Sequence, residues 1–370
     1  MNLPPIALNG RFTGTAQPTG TQTAAYGLFD AIIREPRERP VVIFADSRFL
    51  ASSEWASIPG TTLVEIPFQD WSRRKAQLWE QLTFPRLSRK WNCALAHHPI
   101  TTCPVWHAGV KTVVTLHDLN FYRHPEWYSL SFRLVYNLLA IPGMRRAERV
   151  VTISDYVQGQ AIECLHLRPA RVSRIYNGVK PAPPAEERTG PVPPYVLAVG
   201  SLQPHKNLPR LIRAYQQLRA KDPTLELWVV GRPQPRFTEL PELTELLKSP
   251  GVKLLGYLSE ADLASAYRNA RVFCYPSLEE GFGLPLLEAM QAGTLVVTSN
   301  VSCLPEIAGP ACLCVNPLDE TAIARAMDEL LHLTPSQRSE RVAQGRAWTE
   351  KFRWQNAARD YLALYENLLA

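Results

Sequence analysis

Two glutamates in the second half of the chain are spaced so that they could hold hydroxyl groups beside a phosphate. Glu280 and Glu288 are separated by seven residues, two of them glycines. Glycines let backbone N–H groups turn towards one point, and a helix N-terminus adds partial positive charge, so the stretch predicts a site for phosphate oxygens. Glu288, about one turn into the helix, can accept hydroxyl protons from a ribose, while Glu280 can hold a second sugar; the alternative is a glycine-rich helix cap with two exposed glutamates. The connecting stretch begins with Gly281, Phe282, Gly283 and Leu284.

A lysine ahead of a predicted helix forms the second part of this site. Gly200 ends a predicted strand, and Lys206 precedes the next helix. The lysine ammonium can neutralise a diphosphate leaving group, where negative charge grows as the sugar bond breaks, and His205 can assist it. A solvated lysine in a loop is the alternative, but the glycine-rich loop opposite favours the functional interpretation.

The first half of the chain places a histidine and an aspartate together at the end of a predicted strand. His117 and Asp118 follow the strand candidate Val113–Leu116. Ligands of open α/β sheets bind at the carboxyl ends of the strands, so this pair could bind substrate hydroxyls or support proton transfer. A buried structural histidine is the alternative, and it is also the preferred interpretation of His97 and His98.

Short aliphatic runs alternate with helical patterns in the second half. This order predicts parallel strands with crossover helices, because strands buried on both faces are continuously apolar. Ser259 followed by Asp262 indicates a helix start. The predicted strands are Tyr195–Val199, Leu225–Val230, Val252–Leu255, Val272–Tyr275 and Thr294–Thr298, and the predicted helices are Leu208–Arg219, Leu240–Lys248, Ser259–Asn269 and Leu284–Gln291.

The first half shows a similar pattern, and the proline-rich stretch 181–194 predicts a stiff linker between two domains. A chain of 370 residues also exceeds the usual size of a single hydrophobic core. We therefore expect an α/β protein with two Rossmann-like domains that face each other across a cleft. The candidate strands here are Val41–Phe44, Thr62–Ile66, Ala94–Ala96, Val113–Leu116 and Val150–Ile153, and the candidate helices are Gly20–Ile33, Ser72–Leu82, Ser131–Leu139, Tyr156–Leu165 and, at the C-terminus, Trp354–Leu369.

Composition narrows the class of protein. No apolar run approaches the roughly 18 residues of a membrane span, and the N-terminus has neither a basic start nor an apolar core, so we expect a cytoplasmic protein. The seven cysteines are scattered without a C-x-x-C pair, which predicts neither a disulfide framework nor a metal site. Residues 1–190 have 22 Lys and Arg against 15 Asp and Glu, whereas residues 191–370 have 18 against 19, so the positive excess predicts an anionic partner on the N-terminal side.

The stretch Trp71–Trp91 combines basic clusters with tryptophans. Arg73-Arg74-Lys75 and the group Arg86, Arg89 and Lys90 flank an amphipathic segment. Such a segment could rest on the inner face of an anionic membrane and present the cleft to a lipid-linked substrate. A solvated basic helix face is the alternative, and the sequence leaves both open.

These motifs resemble a known family. The Glu280 to Glu288 stretch, with Gly-Phe-Gly-Leu-Pro inside it and Gly-x-Leu-x-Pro-x-Lys-Asn before it, is similar to the retaining GT-B glycosyltransferases, the glycogen-synthase-like family four. The resemblance implies a nucleotide sugar held by residues 190–350, an acceptor-side domain over 1–185, and a last helix, 350–370, that crosses back to that domain. Many members have an arginine where this chain has Ser201, so His205 could replace part of that charge.

The resemblance also assigns roles to single residues. Lys206 would contact the diphosphate, Glu288 the ribose and Glu280 the transferred sugar, while the backbone near Tyr257 would face the base. The loop Pro18–Gln22 resembles the family's glycine loop at Gly20. The predicted catalytic residues are His117, Asp118, Glu280 and Lys206, and the predicted donor-binding residues are Gly20, Gly200, Ser201, His205, Lys206, Tyr257, Glu280, Gly281, Phe282, Gly283, Leu284 and Glu288.

The expected reaction is transfer of a sugar from a nucleotide diphosphate donor, GDP-mannose or else a UDP-sugar, to a saccharide acceptor in polysaccharide assembly. The family's chemistry implies retention and needs neither a metal nor another cofactor, and no D-x-D pair is present. Three alternatives remain: a phosphorylase or sugar-nucleotide epimerase with the same fold, a dinucleotide enzyme, which should show G-x-G-x-x-G, and a non-catalytic nucleotide-sugar binder. No nucleic acid partner is expected.

Overall fold

The computed structural model describes residues 3–14, 19–181, 193–232 and 241–370. Most of the predicted 181–194 linker, the glycine-loop residue Pro18 and the predicted helix start Leu240 lie outside these residues. No helix in the described part of the chain is long and apolar enough to cross a membrane. The chain forms two compact units: the first comprises Met1–Arg123, Leu130–Gly178 and Phe352–Ala370, and the second comprises His124–Ser129 and Val179–Lys351.

The first unit is built on a seven-stranded parallel sheet. Its strand order is β3-β2-β1-β4-β5-β6-β7, and every neighbouring pair is parallel. Strands β1, β2 and β4 are buried along their whole length, as expected for strands covered on both faces. The strands are β1 Ile6–Gly10, β2 Val41–Asp46, β3 Thr61–Ile66, β4 Leu95–His98, β5 Lys111–Leu116, β6 Arg149–Thr152 and β7 Val172–Arg174.

Two helices of this unit continue beyond the ends that the sequence predicts. The predicted ends at Leu82 and Leu139 are wrong, because each helix runs on through a π-helical turn, Trp79–Thr83 in one and Tyr136–Ala140 in the other. Pro85 follows the first turn and Pro142 the second. Proline cannot donate a backbone hydrogen bond, and the wider π-helical turn lets the helix continue without that bond. The helices are α1 Gly20–Arg34, α2 Ser47–Ser52, α3 Arg73–Leu78, α4 Phe84–Lys90, α5 Asn120–Arg123, α6 Leu130–Val135, α7 Ile141–Arg146 and α8 Asp155–Leu165.

The C-terminal helix Trp354–Leu369 packs into the first unit. Trp354 lies against Gly27 and Gly178, where an added Cβ would come within 2.5 and 2.3 Å of Trp354 atoms, so both positions require glycine. Farther along the helix, the hydroxyl of Tyr365 lies 2.6 Å from Nδ1 of His97. The ring of His97 also stacks on Tyr361, so this histidine is part of the core.

The second unit has a six-stranded parallel sheet with strand order β10-β9-β8-β11-β12-β13. Ser259 caps α11 by accepting a hydrogen bond from the Asp262 amide at 3.1 Å. The strands are β8 Tyr195–Val199, β9 Glu226–Val230, β10 Val252–Gly256, β11 Val272–Tyr275, β12 Leu295–Ser299 and β13 Leu313–Val315; the helices are α9 Leu208–Arg219, α10 Pro241–Leu246, α11 Glu260–Asn269, α12 Leu284–Ala292, α13 Leu304–Ala308, α14 Glu320–Leu331 and α15 Pro335–Thr349.

Candidate functional site

Lys206 and Glu280 meet at the carboxyl edge of the second sheet. The Lys206 ammonium donates to Glu280 Oε1 at 2.6 Å and to the Tyr275 hydroxyl at 2.5 Å. The lysine and glutamate side chains are 14% and 11% exposed, so the pair is largely shielded but reachable from solvent. Burial alone would raise the pKa of Glu280, but the charges of Lys206 and His205 outweigh it and hold that pKa below its usual range.

The turn that carries Lys206 is held in place from both sides. The lysine stem passes over Gly200, whose added Cβ would lie 3.4 Å from Lys206 Cε. The next residue, Asn207, has a left-handed backbone conformation. Its side-chain amide donates to the carbonyl oxygens of Pro276 and Pro317 at 3.0 and 2.7 Å. These bonds tie the turn to the chain that leaves β11, which explains why Lys206 reaches Glu280.

The glycine-rich loop leads into α12 with a tight backbone turn. Gly283 precedes the helix in a left-handed conformation (φ 96°), which favours glycine, and the first helical residues are Leu284 and Pro285. Gly281 and Phe282 are buried, whereas Leu284 is half-buried. Pro285 has no N–H, and the Leu286 amide donates to the Gly283 carbonyl at 3.0 Å. The Leu284 amide and the positive end of the helix dipole are therefore what this N-terminus offers to an anion.

Glu288 lies one turn into α12 and is restrained by a tyrosine. The Tyr267 hydroxyl, from the end of α11, donates to Glu288 Oε2 at 2.8 Å. Burial raises the pKa of Glu288, and the Tyr267 hydrogen bond opposes that rise. One carboxylate oxygen is therefore fixed, and the group can still accept hydroxyl protons from a ligand.

The remaining predicted donor residues lie on loops that follow β8 and β10, at the same edge of the sheet. His205 is buried, and its carbonyl accepts a 2.7 Å bond from the Leu278 amide. Ser201 is half-buried in the turn after β8. Tyr257 follows β10 with 58% of its surface exposed, and the Arg232 guanidinium lies 5.5 Å from its ring. An exposed ring beside a cation is suited to stacking on a nucleobase.

The structure places Gly20, His117 and Asp118 in the first unit, apart in the chain from the other predicted residues. Gly20 is exposed at the start of α1, and no described atom lies within 4 Å of an added Cβ, so packing does not require a glycine there. His117 is only 6% exposed, and its Nε2 lies 2.7 Å from the Pro99 carbonyl oxygen. Asp118 accepts a 3.0 Å bond from the Asn120 amide at the start of α5.

Acid should destabilise the protein through His117. Burial lowers the pKa of His117 to about 4, from an ordinary value of 6.5. Between these values the unfolded chain binds more protons, so the free energy of unfolding falls by about 3 kcal/mol as the pH drops through this window. We expect His117→Gln to lose that share of the acid sensitivity in urea unfolding at several pH values. The exposed His332→Gln serves as control, and an unchanged pH slope in His117→Gln would contradict the assignment.

Sequence reasoning missed a buried charged network in the first unit, at the carboxyl ends of β1 and β4. Glu80 is fully buried and contacts Arg11 at 3.0 Å, Asn9 at 2.8 Å, Thr102 at 2.8 Å and His98 at 3.4 Å. Burial alone would raise the pKa of Glu80, but Arg11, His98 and Thr102 together hold it below its usual range. Glu80 lies within Trp71–Trp91, so one face of that segment belongs to the core.

Tyr275, Tyr267 and Asn207 were also missed as site residues. Tyr275 is the last residue of β11, a position that points to the carboxyl edge, and this was the available signal. Asn207 follows Lys206 directly. The contact of Tyr267 with Glu288 spans 21 residues between two helices, and a single sequence gives no sign of it.

Each half of the chain matches the sequence model of a known protein family. Residues 183–348 match the model of the family "Glycosyl transferases group 1", and residues 20–183 match "Glycosyltransferase Family 4". O-antigen chain mannosyltransferase B of Escherichia coli is 31% identical over 71% of this chain and 72% of its own length. The serotype-specific mannosyltransferase WbdA of Escherichia coli is also 31% identical over 67% of this chain, which spans about a third (32%) of that longer protein.

Solved structures agree on the fold. Sucrose-phosphate synthase from Thermosynechococcus elongatus has a TM-score of 0.74 at 22% identity and covers 99% of both chains. HepE (Alr3699) from Anabaena, solved with UDP and glucose, has a TM-score of 0.69 at 17% identity and covers 99% of this chain and 100% of its own. With two parallel α/β units and both family models matched, the chain belongs to the group 1 glycosyltransferases and has their GT-B fold.

Proposed function

We propose that this glycosyltransferase moves mannose from GDP-mannose to a saccharide acceptor in surface-polysaccharide assembly. The observation that carries the proposal is the contact of Lys206 with Glu280 and Tyr275 beside the N-terminus of α12. The mannose assignment draws on the relatives, since two of them are named as O-antigen or serotype-specific mannosyltransferases.

Lys206 and Glu280 divide the work on the donor. The Lys206 ammonium has three N–H groups. Two of them are directed at Tyr275 and Glu280, so the third can donate a hydrogen bond to a diphosphate oxygen. Negative charge grows on that oxygen as the sugar leaves, and a fixed positive charge stabilises it without reorganisation. Glu280 retains acceptor capacity for a sugar hydroxyl.

The nucleotide lies along α12 in this proposal. The amides of Gly281 to Gly283 and the helix N-terminus bind phosphate oxygens. Glu288, fixed by Tyr267, accepts the ribose hydroxyls, and the exposed ring of Tyr257 lies beside the base. In the first unit, His117 and Asp118 bind the acceptor sugar, and Gly20 leaves room for a ligand at the start of α1.

A UDP-sugar is the second candidate donor. HepE, which has the same fold, was solved with UDP and with UDP-glucose. The glycine loop, Lys206 and Glu288 contact phosphate and ribose, which both nucleotides share, so the base decides between them.

We extend the proposal to four finer properties. Transfer proceeds with retention of configuration and without a metal ion, as the family resemblance implies. The acceptor is linked to a lipid, and the basic segment Trp71–Trp91 holds the enzyme on the inner face of an anionic membrane, since Arg74, Lys75, Arg86, Arg89 and Lys90 are all exposed. NMR of the product anomer and assays with EDTA test the first two.

One nucleoside diphosphate should stabilise the protein selectively. A ligand at about 100 times its Kd raises the free energy of unfolding by about 2.7 kcal/mol. We expect thermal unfolding with GDP, UDP, dTDP, ADP and NAD to show a clear rise in Tm with GDP, and the rise should disappear in Lys206→Ala and in Glu288→Ala.

The controls separate the alternatives. Glu245→Ala, on the exposed face of α10, should keep the GDP response. A Tm rise with UDP alone would change the proposed donor to a UDP-sugar and leave the proposed transferase activity in place. A response to NAD alone, or to none of the diphosphates, would contradict the proposed function.

A further inference from the structure

The first unit exposes a row of leucines on one helix. In the continuous helix 130–146, Leu130, Leu134 and Leu138 are 66%, 49% and 66% exposed. Residues four apart lie on one helix face, so the three side chains form a stripe along it. Single exposed leucines are common on protein surfaces, whereas a continuous stripe marks an interaction site.

This stripe is not the core face of the helix. The inward side chains Phe132 and Tyr136 stack on each other at 4.3 Å, and Tyr136 also contacts Phe121 at 4.7 Å. The other exposed residues between 130 and 138 are uncharged: Ser131, Val135 and Asn137. The one charged residue between 130 and 138, Arg133, is half-buried. The exposed side of this stretch therefore combines leucine and valine with two small polar residues and no exposed charge, while half-buried aromatic rings pack on the other side.

The helix 73–90 exposes a second apolar pair among basic residues. Leu78 and Leu82, four residues apart, are 60% and 48% exposed. Glu80 is the only acidic residue in this helix, and its carboxylate is buried. The exposed charges there, Arg74, Lys75, Arg86, Arg89 and Lys90, are all positive.

The segment 103–106 links the two helices. The Gln81 side chain donates to the Cys103 carbonyl and accepts from the Val105 amide, both at 3.0 Å. Arg146, at the end of the other helix, donates to the Val105 carbonyl at 3.2 Å. Trp106, which is 49% exposed, lies 5.3 Å from the Arg86 guanidinium. The leucine stripe, the basic helix and an exposed tryptophan are thus parts of one packed substructure.

We propose that these two helices form a membrane-insertion surface, with the 130–138 leucines entering the acyl region of an anionic bilayer and the 73–90 cations binding its headgroups. The inference rests on the lipid-linked acceptor of the proposed function. Leucines would contribute nothing to binding a polyanion such as RNA, whereas a bilayer receives both leucines and cations. A symmetric pair of copies that used both helices would bring two sets of positive charges into one interface without acidic partners from helix 73–90.

Vesicle binding tests the surface directly. We expect the full chain to bind phosphatidylcholine vesicles containing about one-third phosphatidylglycerol and to bind pure phosphatidylcholine vesicles far less. The triple variant Leu130→Asn/Leu134→Asn/Leu138→Asn keeps every charge and should lose about thirtyfold in partition coefficient. Arg86→Ser/Arg89→Ser/Lys90→Ser should lose a similar factor and also flatten the salt dependence. The matched control Leu254→Asn/Leu318→Asn removes exposed leucines of the second unit and should bind as the parent does.

Each outcome decides the proposal. Unchanged vesicle binding by the leucine variant would overturn it, as would equal binding to neutral and anionic vesicles. A concentration-dependent dimer that disappears in the leucine variant would assign the stripe to a second copy instead. The nucleotide-induced Tm rise should persist in every variant, which shows that the protein is folded. If that rise is absent in the parent chain while vesicle binding follows the expected pattern, the proposed function fails and the surface stands.

Discussion

Replacing Lys206 by alanine is expected to lower kcat about 100- to 1,000-fold. The KM for the donor should change much less than the affinity for GDP, because the diphosphate of a nucleotide sugar carries less negative charge than that of free GDP. The ammonium is held between Glu280 and Tyr275 at 2.6 and 2.5 Å, so its charge is already in position when the diphosphate leaves. An interaction that strengthens as charge develops acts on the transition state and appears in kcat. Steady-state transfer assays with the stabilising donor measure both constants.

Two further variants make this prediction specific. Lys221→Ala removes an exposed lysine of the same unit and should leave kcat unchanged. Tyr275→Phe keeps the ring but removes the hydroxyl that accepts a hydrogen bond from Lys206. We therefore expect a smaller loss in kcat, about tenfold. A Lys206→Ala enzyme with kcat within a few-fold of the parent would remove this residue from the mechanism.

Replacing Glu80 by alanine is expected to destabilise the first unit by about 3–5 kcal/mol. The change leaves the Arg11 guanidinium and the Asn9 amide in a largely buried place without their carboxylate. Because the pKa of Glu80 is held below its usual range, the ion pair contributes its stability above the ordinary glutamate pKa, and that contribution is lost as the pH falls through the lowered value. Urea unfolding near neutral pH measures the effect.

Removing both partners separates charge from packing. Glu80→Met/Arg11→Met leaves no unpaired charge, so it should be more stable than Glu80→Ala alone. The exposed Glu38→Ala should change the free energy of unfolding by less than about 0.5 kcal/mol. A Glu80→Ala protein as stable as the parent would mean that the network contributes nothing to folding.

Most strands could be predicted because their sequences leave few choices. Tyr195–Val199 and Val272–Tyr275 have the predicted bounds, since a continuous apolar run of only four or five residues between loops is typical of a strand buried on both faces. Strand β1 was missed because Ile6–Gly10 ends in asparagine and glycine, two residues that are depleted in strands. The two helices interrupted by Pro85 and Pro142 were predicted too short, since a sequence does not show that a π-turn will absorb a proline.

The site was predictable where one loop carries the chemistry and hidden where distant segments meet. Glu280, Gly283 and Glu288 share one short stretch, and their spacing alone suggested phosphate and ribose. Lys206 needed the order of the strands, because it reaches Glu280 only when β8 lies beside β11. The residues that flank Glu80 in the sequence are typical of an exposed helix. Only the packed structure shows that the helix face with Glu80 points into the core.

The return of the last helix to the first unit has a consequence for how this enzyme can be rearranged. An added Cβ on Gly178 would lie 2.3 Å from the Trp354 backbone nitrogen, so the chain leaves and re-enters the first unit at nearly the same point. Apart from residues 124–129, the second unit is thus one continuous segment, Val179–Lys351, which we call the cassette, and its two ends join the first unit at neighbouring points. A gene ended at residue 351 would lose Trp354, Tyr361 and Tyr365 from the other unit's core, whereas exchanging the cassette between homologues would keep them.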